Sequence, residues 1–362
     1  MRMIFHVPFE LDPSSAFAND IRPLKMLQAF RSLGYEVDGV YGRNRERKLR
    51  AEAVQRKIQS GVEYSFVYSE SSGVPTAFTD PSKKPTHPIF DLAFLRFCRS
   101  NGLKVGLFYR DVYWRFPNTV QYKSRFRHAV LPGFYLLDLL AYNFAISKIY
   151  LPSMAMHRFI PLTSRIDAAA LPPAHDLVES KAAGMPQRQL NLLYVGGLGK
   201  LYDLHTLMGV VRDMPEVHFT LCTRPADWDR EGSSYKELLA DNITIVHEKG
   251  EGLKKLYADA NVAVFFLKPT KYSEFAVSVK LFEYISYRLP TIAIKDTLVG
   301  SIVESENVGW TLPFDAQSLR GLLTKLRENP ETIAALAPRL IEAGVKNTWT
   351  ARARSVAEDL SC

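Results

Sequence analysis

Three cysteines, Cys98, Cys222 and Cys362, are all that the 362 residues provide. Odd in number, far apart and without a CxxC pair, they exclude a disulfide framework and suit a reducing interior. Long hydrophobic runs are missing too. No stretch reaches 18 apolar residues free of charge, so no membrane-spanning helix is expected. The opening MRMIFHVPFELDP carries one basic residue and a short apolar run broken at Pro8. Without a secretory core or a small-residue cleavage site, it reads as a buried first strand. GxGxxG and GKS/T sequences do not occur, which removes a Rossmann dinucleotide fingerprint and a Walker loop. His6, His87 and His247 lack metal-ligand spacing, so neither a metal nor a cofactor is expected.

What is present describes a globular chain. A hydrophobic share of 47% with 12% aromatics excludes disorder as the main state, and the length suits two domains. The net charge of +8 is unevenly spread. Residues 1–170 hold 24 Lys and Arg against 14 Asp and Glu, a net of +10; residues 171–362 hold 22 against 24, a net of −2. A basic half joined to a near-neutral half implies either a solvated surface or a domain facing a polyanion: a membrane, a nucleic acid or a phosphorylated substrate. The basic residues form no RNA-binding motif or recognition helix, so no nucleic-acid partner is expected.

Strand and helix patterns alternate along the chain. RMIFHVPF, YEVDGVYG, YSFVYSES and KVGLFYRDVYW read as strands, separated by helical patterns of which two are closed by Gly34 and Gly102. A Pro-Pro, alanine-rich stretch follows, and then a second series: LNLLYVGGLG, VHFTLCT, ITIVHE, VAVFFL and PTIAIK, with helices expected at 203–212, 233–240, 251–260 and 278–287. Continuous apolar strands indicate parallel sheets covered on both faces. The expected fold is α/β, with two Rossmann-like parallel-sheet domains facing a cleft. Their bounds are 1–165, a linker at 166–189, a second domain at 190–345 and a helix at 346–362 crossing back. Ligands of open parallel sheets bind beyond the strands' carboxyl ends, so the loops there are the places to search.

Two segments of the second half stand out. In YVGGLGKLYDLHTLM (194–208), Gly196 and Gly197 lie between strand and helix, where they either make a plain tight turn or let backbone amides approach an anion. In VSVKLFEYISYRLPTIAI (277–294), Lys280 and Glu283 are neighbours on one helical face. They are either a surface ion pair or a cation for phosphate beside an acceptor for ribose hydroxyls. Arg224, just past VHFTLCT, either binds a diphosphate or is a surface residue.

The first half offers less specific candidates. Asp111, between Arg110 and Trp114, is a base toward an acceptor hydroxyl, a sugar hydrogen-bond partner, or half of a local ion pair with Arg110. Tyr113 and Trp114 offer flat faces to sugar rings. Glu70, within Ser69–Ser72, is a second base candidate or part of a capping cluster. Ser14 and Ser15 either hold a phosphate or cap a helix. KSRFRH (123–128) leads into AVLPGFYLLDLLAYNFAI (129–146), a cationic and aromatic stretch that either lies in a bilayer interface or packs as a core helix.

The run K-L-F-E-Y-x-x-x-x-L-P-T-I-A closely resembles the nucleotide-binding signature of family 4-type GT-B glycosyltransferases; the Gly-Gly turn at 196–197 and the ending NTWTARARSV (347–356) also look like that superfamily. The resemblance covers most of residues 190–356. It implies Glu283 as the ribose ligand, Lys280 as the diphosphate partner and retention of anomeric configuration, for which no separate base is required. The family's earlier Glu falls at Phe275 here, with Glu274 one residue out of register.

In the first half, IRPLKMLQAF with GYEVDGVYG, VYSESSGVPT and GLFYRDVYWRFP resemble bacterial cell-surface and exopolysaccharide glycosyltransferases. That implies a peripheral enzyme on the cytoplasmic face of the inner membrane, a nucleotide-sugar donor, and a lipid-linked, polyprenyl-diphosphate glycan acceptor. Ser14, Ser15, Arg110 and Trp114 would serve the acceptor; Gly196, Gly197, Arg224, Lys280 and Glu283 the donor. Lys280, Asp111 and Glu70 are the catalytic candidates. A sugar-nucleotide 2-epimerase and a non-catalytic GT-B partner subunit at the membrane are the rival readings.

Overall fold

A computed structural model describes residues 1–12, 18–80, 89–116, 125–178 and 189–361. The chain divides into two compact units, Met1–Pro173 with Trp349–Cys362, and Ala174–Thr348.

In the first unit, β1 (Arg2–His6), β2 (Glu36–Val40), β3 (Val67–Glu70), β4 (Val105–Phe108), β5 (Lys148–Leu151) and β6 (Asp167–Ala170) form one parallel sheet in the order β2-β1-β3-β4-β5-β6. Helices α1 (Ala18–Ser32), α2 (Asn44–Gln59), α3 (Phe90–Ser100) and α4 (Arg125–Ala145) alternate with the strands. Gly34 and Gly102, just beyond α1 and α3, have φ of +86° and +85°, the left-handed backbone that ends a helix most cheaply with glycine. Apolar burial on one side of the sheet is aromatic. Phe30 of α1 meets Phe66 at 5.8 Å and Tyr68 at 5.3 Å between ring centres.

The last helix, α13 (Trp349–Ser361), belongs to this first unit and packs on α1 and β4. Gly106 of β4 has no side chain where Leu360 arrives; a Cβ there would lie 2.7 Å from a Leu360 methyl. Arg22 stacks its guanidinium 3.5 Å above Phe108 and 5.6 Å from Trp349, and Lys148 pairs with Asp359 at 3.0 Å.

The second unit holds β7 (Leu190–Val195), β8 (Val217–Cys222), β9 (Ile243–Val246), β10 (Val262–Phe265), β11 (Thr291–Ile294) and β12 (Gly309–Leu312), parallel and ordered β12-β11-β10-β7-β8-β9. Around it run α5 (His205–Arg212), α6 (Pro225–Glu231), α7 (Glu251–Asp259), α8 (Val279–Ser286), α9 (Leu298–Ser305), α10 (Ala316–Glu328), α11 (Glu331–Ala334) and α12 (Ala337–Lys346). Strands β7, β10 and β11 are almost entirely buried, the reason they read as unbroken apolar runs.

Three features differ from expectation. Part of the stretch assigned to a linker, 166–189, is strand: β6 pairs in register with β5. β12 likewise extends the second sheet past PTIAIK. Both are edge strands with half-exposed residues, so neither shows the apolar run that marks an interior strand. The helix expected at 233–240 begins earlier, at Pro225 with Arg224 as its N-cap; Gly232–Leu238 forms a 3-10 turn instead. Proline at the first helical position is preset for that start.

Candidate functional site

The second unit gathers most of its chemistry at the carboxyl ends of β7 and β8. Helix α8 sinks Leu281, Phe282, Tyr284 and Ile285 into the core and leaves Lys280 and Glu283 on its remaining face, 29% and 30% exposed. Ser278 caps the helix by accepting from the Lys280 amide at 3.2 Å. Tyr284 is fully buried, and its hydroxyl accepts from the amide of Val195, the last residue of β7, at 2.8 Å. That bond sets α8 beside the Gly196–Gly197 turn. The Gly196 amide in turn donates to the Cys222 carbonyl at the end of β8 at 3.0 Å.

Gly196 has a specific packing reason. Tyr194 folds back so that its hydroxyl donates to the Gly197 carbonyl at 3.1 Å, and a Cβ on Gly196 would sit 2.4 Å from that hydroxyl oxygen. Arg224 follows β8 and is 77% exposed; its Nε donates to Asp227 Oδ2 at 2.7 Å. Asp227 is buried and also takes Arg230 at 2.9 Å. It opens an Asp-X-Asp run, Asp227-Trp228-Asp229, so the expectation of no metal cannot rest on the lack of such a run. Two arginines already occupy its first carboxylate, and no cluster of three or more metal-ligating side chains occurs among the described residues.

Glu283 is held more firmly than a surface pair. Its Oε2 accepts from Lys280 Nζ and from the Tyr257 hydroxyl of α7, each at 2.5 Å. Tyr257 is buried, stacked on Tyr287 at 4.4 Å. Burial and the Glu283 charge push its phenol well above the usual value, so it stays a donor. Oε1 of Glu283 carries no hydrogen bond among the described residues. Tyr257 was invisible in the sequence, where it is one apolar position of an amphipathic helix. At the family's earlier Glu position, Phe275 is buried against Tyr272, and Glu274 is exposed.

In the first unit the candidates scatter. Glu70 does not stand as an accessible base. It is fully enclosed, accepting from Tyr68 at 2.9 Å and Arg110 at 3.4 Å, with Arg22 at 3.5 Å. A carboxylate so surrounded is the centre of a buried charge cluster. Trp114 is not an open platform for a sugar either: it is buried, stacked on Tyr135 at 5.3 Å, with its indole N–H donating to Tyr109 at 3.1 Å. Tyr113 is the neighbour left exposed. Asp111 accepts from the Val112 amide at 2.6 Å, and the Arg110 amide donates to Ser71 at 3.1 Å. Ser14, Ser15 and Lys123 lie outside the described residues.

A buried chain of polar groups here joins residues far apart in the sequence. Ser69 meets His6 Nδ1 at 2.8 Å, His6 Nε2 meets Asp91 at 3.0 Å, and Arg47 donates twice to Asp91, at 2.7 and 3.1 Å. Burial pushes the Asp91 carboxyl upward, but His6 and Arg47 outweigh it and hold it below the usual range. His6, Ser69 and Asp91 line a cavity of about 10 Å³, room for one water.

No protein-family model and no curated protein sequence matches the chain. Solved structures do match along its whole length. HepE of Anabaena, solved with UDP, shares 13% identity at a TM-score of 0.63, covering 100% of both chains. A glycosyltransferase of Rickettsia africae shares 10% at 0.65, covering 99% of this chain and 97% of its own. WaaG, a glycosyltransferase involved in lipopolysaccharide biosynthesis, shares 13% at 0.59, covering 99% of each. At these identities the likeness defines the fold. It is the GT-B fold of two Rossmann-like units.

Proposed function

We propose that the protein is a glycosyltransferase that moves a sugar from a nucleotide-sugar donor to a polyprenyl-diphosphate-linked glycan acceptor, with retention, at the inner face of the cytoplasmic membrane. One observation carries the donor half. A Lys280–Glu283 pair on α8 is tied through Tyr284 to the strand end that opens the Gly196–Gly197 turn. Glu283 Oε1 takes a ribose hydroxyl. Lys280, the α8 amides and the glycine turn meet the diphosphate, and Arg224, exposed but paired with Asp227, adds a cation nearby. Stabilising the departing diphosphate with fixed cations and helix amides needs no metal. Retention needs no separate base; were the reaction inverting, Asp111 would be the first base to test. That HepE was solved with UDP and with UDP-glucose supports a nucleotide-sugar donor of that kind.

The membrane half rests on α4. Leu137, Leu140 and Phe144, spaced along one face, are 59%, 46% and 66% exposed, on a helix whose first turn holds Arg125 and Arg127. Apolar and aromatic groups along a helix that begins with a basic sequence suit an anionic bilayer interface. No helix among the described residues is long and apolar enough to cross a membrane.

The test is a screen of radiolabelled UDP-, GDP- and ADP-sugars against membrane lipid extract. Label entering the lipid fraction, abolished by Glu283→Ala, is the expected result. Failure of any nucleotide sugar to bind in calorimetry would overturn the donor assignment.

A further inference from the structure

Resting on the donor site proposed above, we infer that Tyr257 is a positioning residue that holds Glu283 for the ribose while Lys280 turns to the diphosphate, and thereby sets discrimination of ribose from deoxyribose.

Without a ligand, one oxygen of Glu283 serves two donors. Oε2 accepts from Lys280 Nζ and from Tyr257 Oη, both at 2.5 Å, while Oε1 is open. The two donors differ in what fixes them. Lys280 is 29% exposed, on a flexible stem, three residues along the same helix from Glu283. Such pairs contribute little net stability and exchange partners readily. A diphosphate, carrying more charge than one carboxylate, will draw the ammonium away. The Tyr257 side chain is fixed. It is 3% exposed, stacked on Tyr287 at 4.4 Å and edge-on to Tyr284 at 5.9 Å.

When Lys280 leaves, Tyr257 is therefore the remaining donor on Oε2. A carboxylate gripped at one oxygen has its other oxygen aimed, and a vicinal hydroxyl pair is read by that aimed oxygen. Without the phenol, Glu283 keeps its charge but loses its direction, and the ribose hydroxyls are read less sharply. The phenol itself need not touch the nucleotide.

Calorimetry of the full chain with UDP and 2′-deoxy-UDP tests this, using wild type, Tyr257→Phe and Glu283→Ala. Wild type should bind UDP at least about tenfold tighter than 2′-deoxy-UDP, the worth of one hydrogen bond to a charged group. Glu283→Ala should bring that ratio near one. Tyr257→Phe should cut it by roughly threefold to tenfold, with 2′-deoxy-UDP affinity kept within about twofold. Both nucleotides weakened alike by Tyr257→Phe would mean a merely structural tyrosine and would overturn the inference, as would an unchanged ratio. Should the phenylalanine variant fail to fold, Tyr257→Met fills the same space without a donor and must satisfy the same criteria. If wild type binds no UDP, or Glu283→Ala keeps the ratio, the donor-site reading fails and this inference falls with it. If Glu283→Ala collapses the ratio while Tyr257→Phe does not, only the inference falls.

Discussion

The Tyr284 hydroxyl accepts the amide of Val195 at 2.8 Å, so a side chain of α8 satisfies a backbone donor at the end of β7. Pairing of β7 with β10 stops at Leu193, two residues earlier, which leaves that donor in need of a partner in a fully buried place. The glutamate-tyrosine order thus has a physical reason: one residue lies on the partly exposed face of the helix beside Lys280 and the next locks the helix to the sheet.

Tyr284→Phe should expose that dependence. It leaves a buried amide unpaired at a cost of about 1–3 kcal/mol, read as a lower urea midpoint at unchanged slope. UDP affinity should fall with it, because α8 loses its anchor beside the glycine turn. Full stability and full affinity would show that the hydrogen bond is dispensable.

Lys280→Ala should lower kcat by about a hundredfold while changing KM far less, as expected for a cation that acts most on the charge developing in the leaving group. Turnover, followed as nucleoside diphosphate release, should survive EDTA. Activity lost to the chelator and restored by magnesium would contradict metal-free leaving-group stabilisation.

Replacing Leu137, Leu140 and Phe144 by glutamine should reduce sedimentation with vesicles of phosphatidylglycerol and phosphatidylethanolamine. It should leave binding of soluble UDP unchanged. Neutralising Lys123, Arg125 and Arg127 should make vesicle binding insensitive to the anionic lipid fraction. Undiminished vesicle binding in both variants would remove α4 from the membrane contact.

Stability should carry the signature of Asp138. Burial raises its carboxyl from 3.8 to about 6, partly opposed by the Thr76 amide, which donates to it at 2.7 Å. A carboxyl with a folded-state value above its unfolded one binds its proton more tightly when folded, so protonation favours the fold. The site's contribution is greatest below pH 3.8 and is lost as pH rises through about 6. The span is about 3 kcal/mol. Asp138→Asn should flatten that slope and raise the urea midpoint at pH 7.5. A variant less stable than wild type at that pH would show that the carboxylate is favourably held.

Much of this was legible in the residue order. Unbroken apolar strands such as Leu192–Val195 and Val262–Phe265 announced a parallel sheet with both faces covered, and Gly34 and Gly102 marked helix ends. The Lys280–Glu283 spacing placed both on one helical face, because spacing alone decides that in a helix. Edge strands β6 and β12 were not legible, since a strand with one neighbour and a wet face has no reason to be wholly apolar.

Side-chain fate was the harder part. Trp114 and Glu70 looked available because both sit in polar loops or strand ends, yet stacking on Tyr135 encloses the one and Tyr68, Arg22 and Arg110 enclose the other. Tyr257 reaches Glu283 across 26 positions of chain, and Asp91 reaches His6 across 85. Periodicity along the chain settles which elements form and which of their faces are apolar, because those depend on neighbours within a few residues. Which polar groups meet, and which are shut away from any ligand, depends on contacts between distant elements. Only the packed fold decides those.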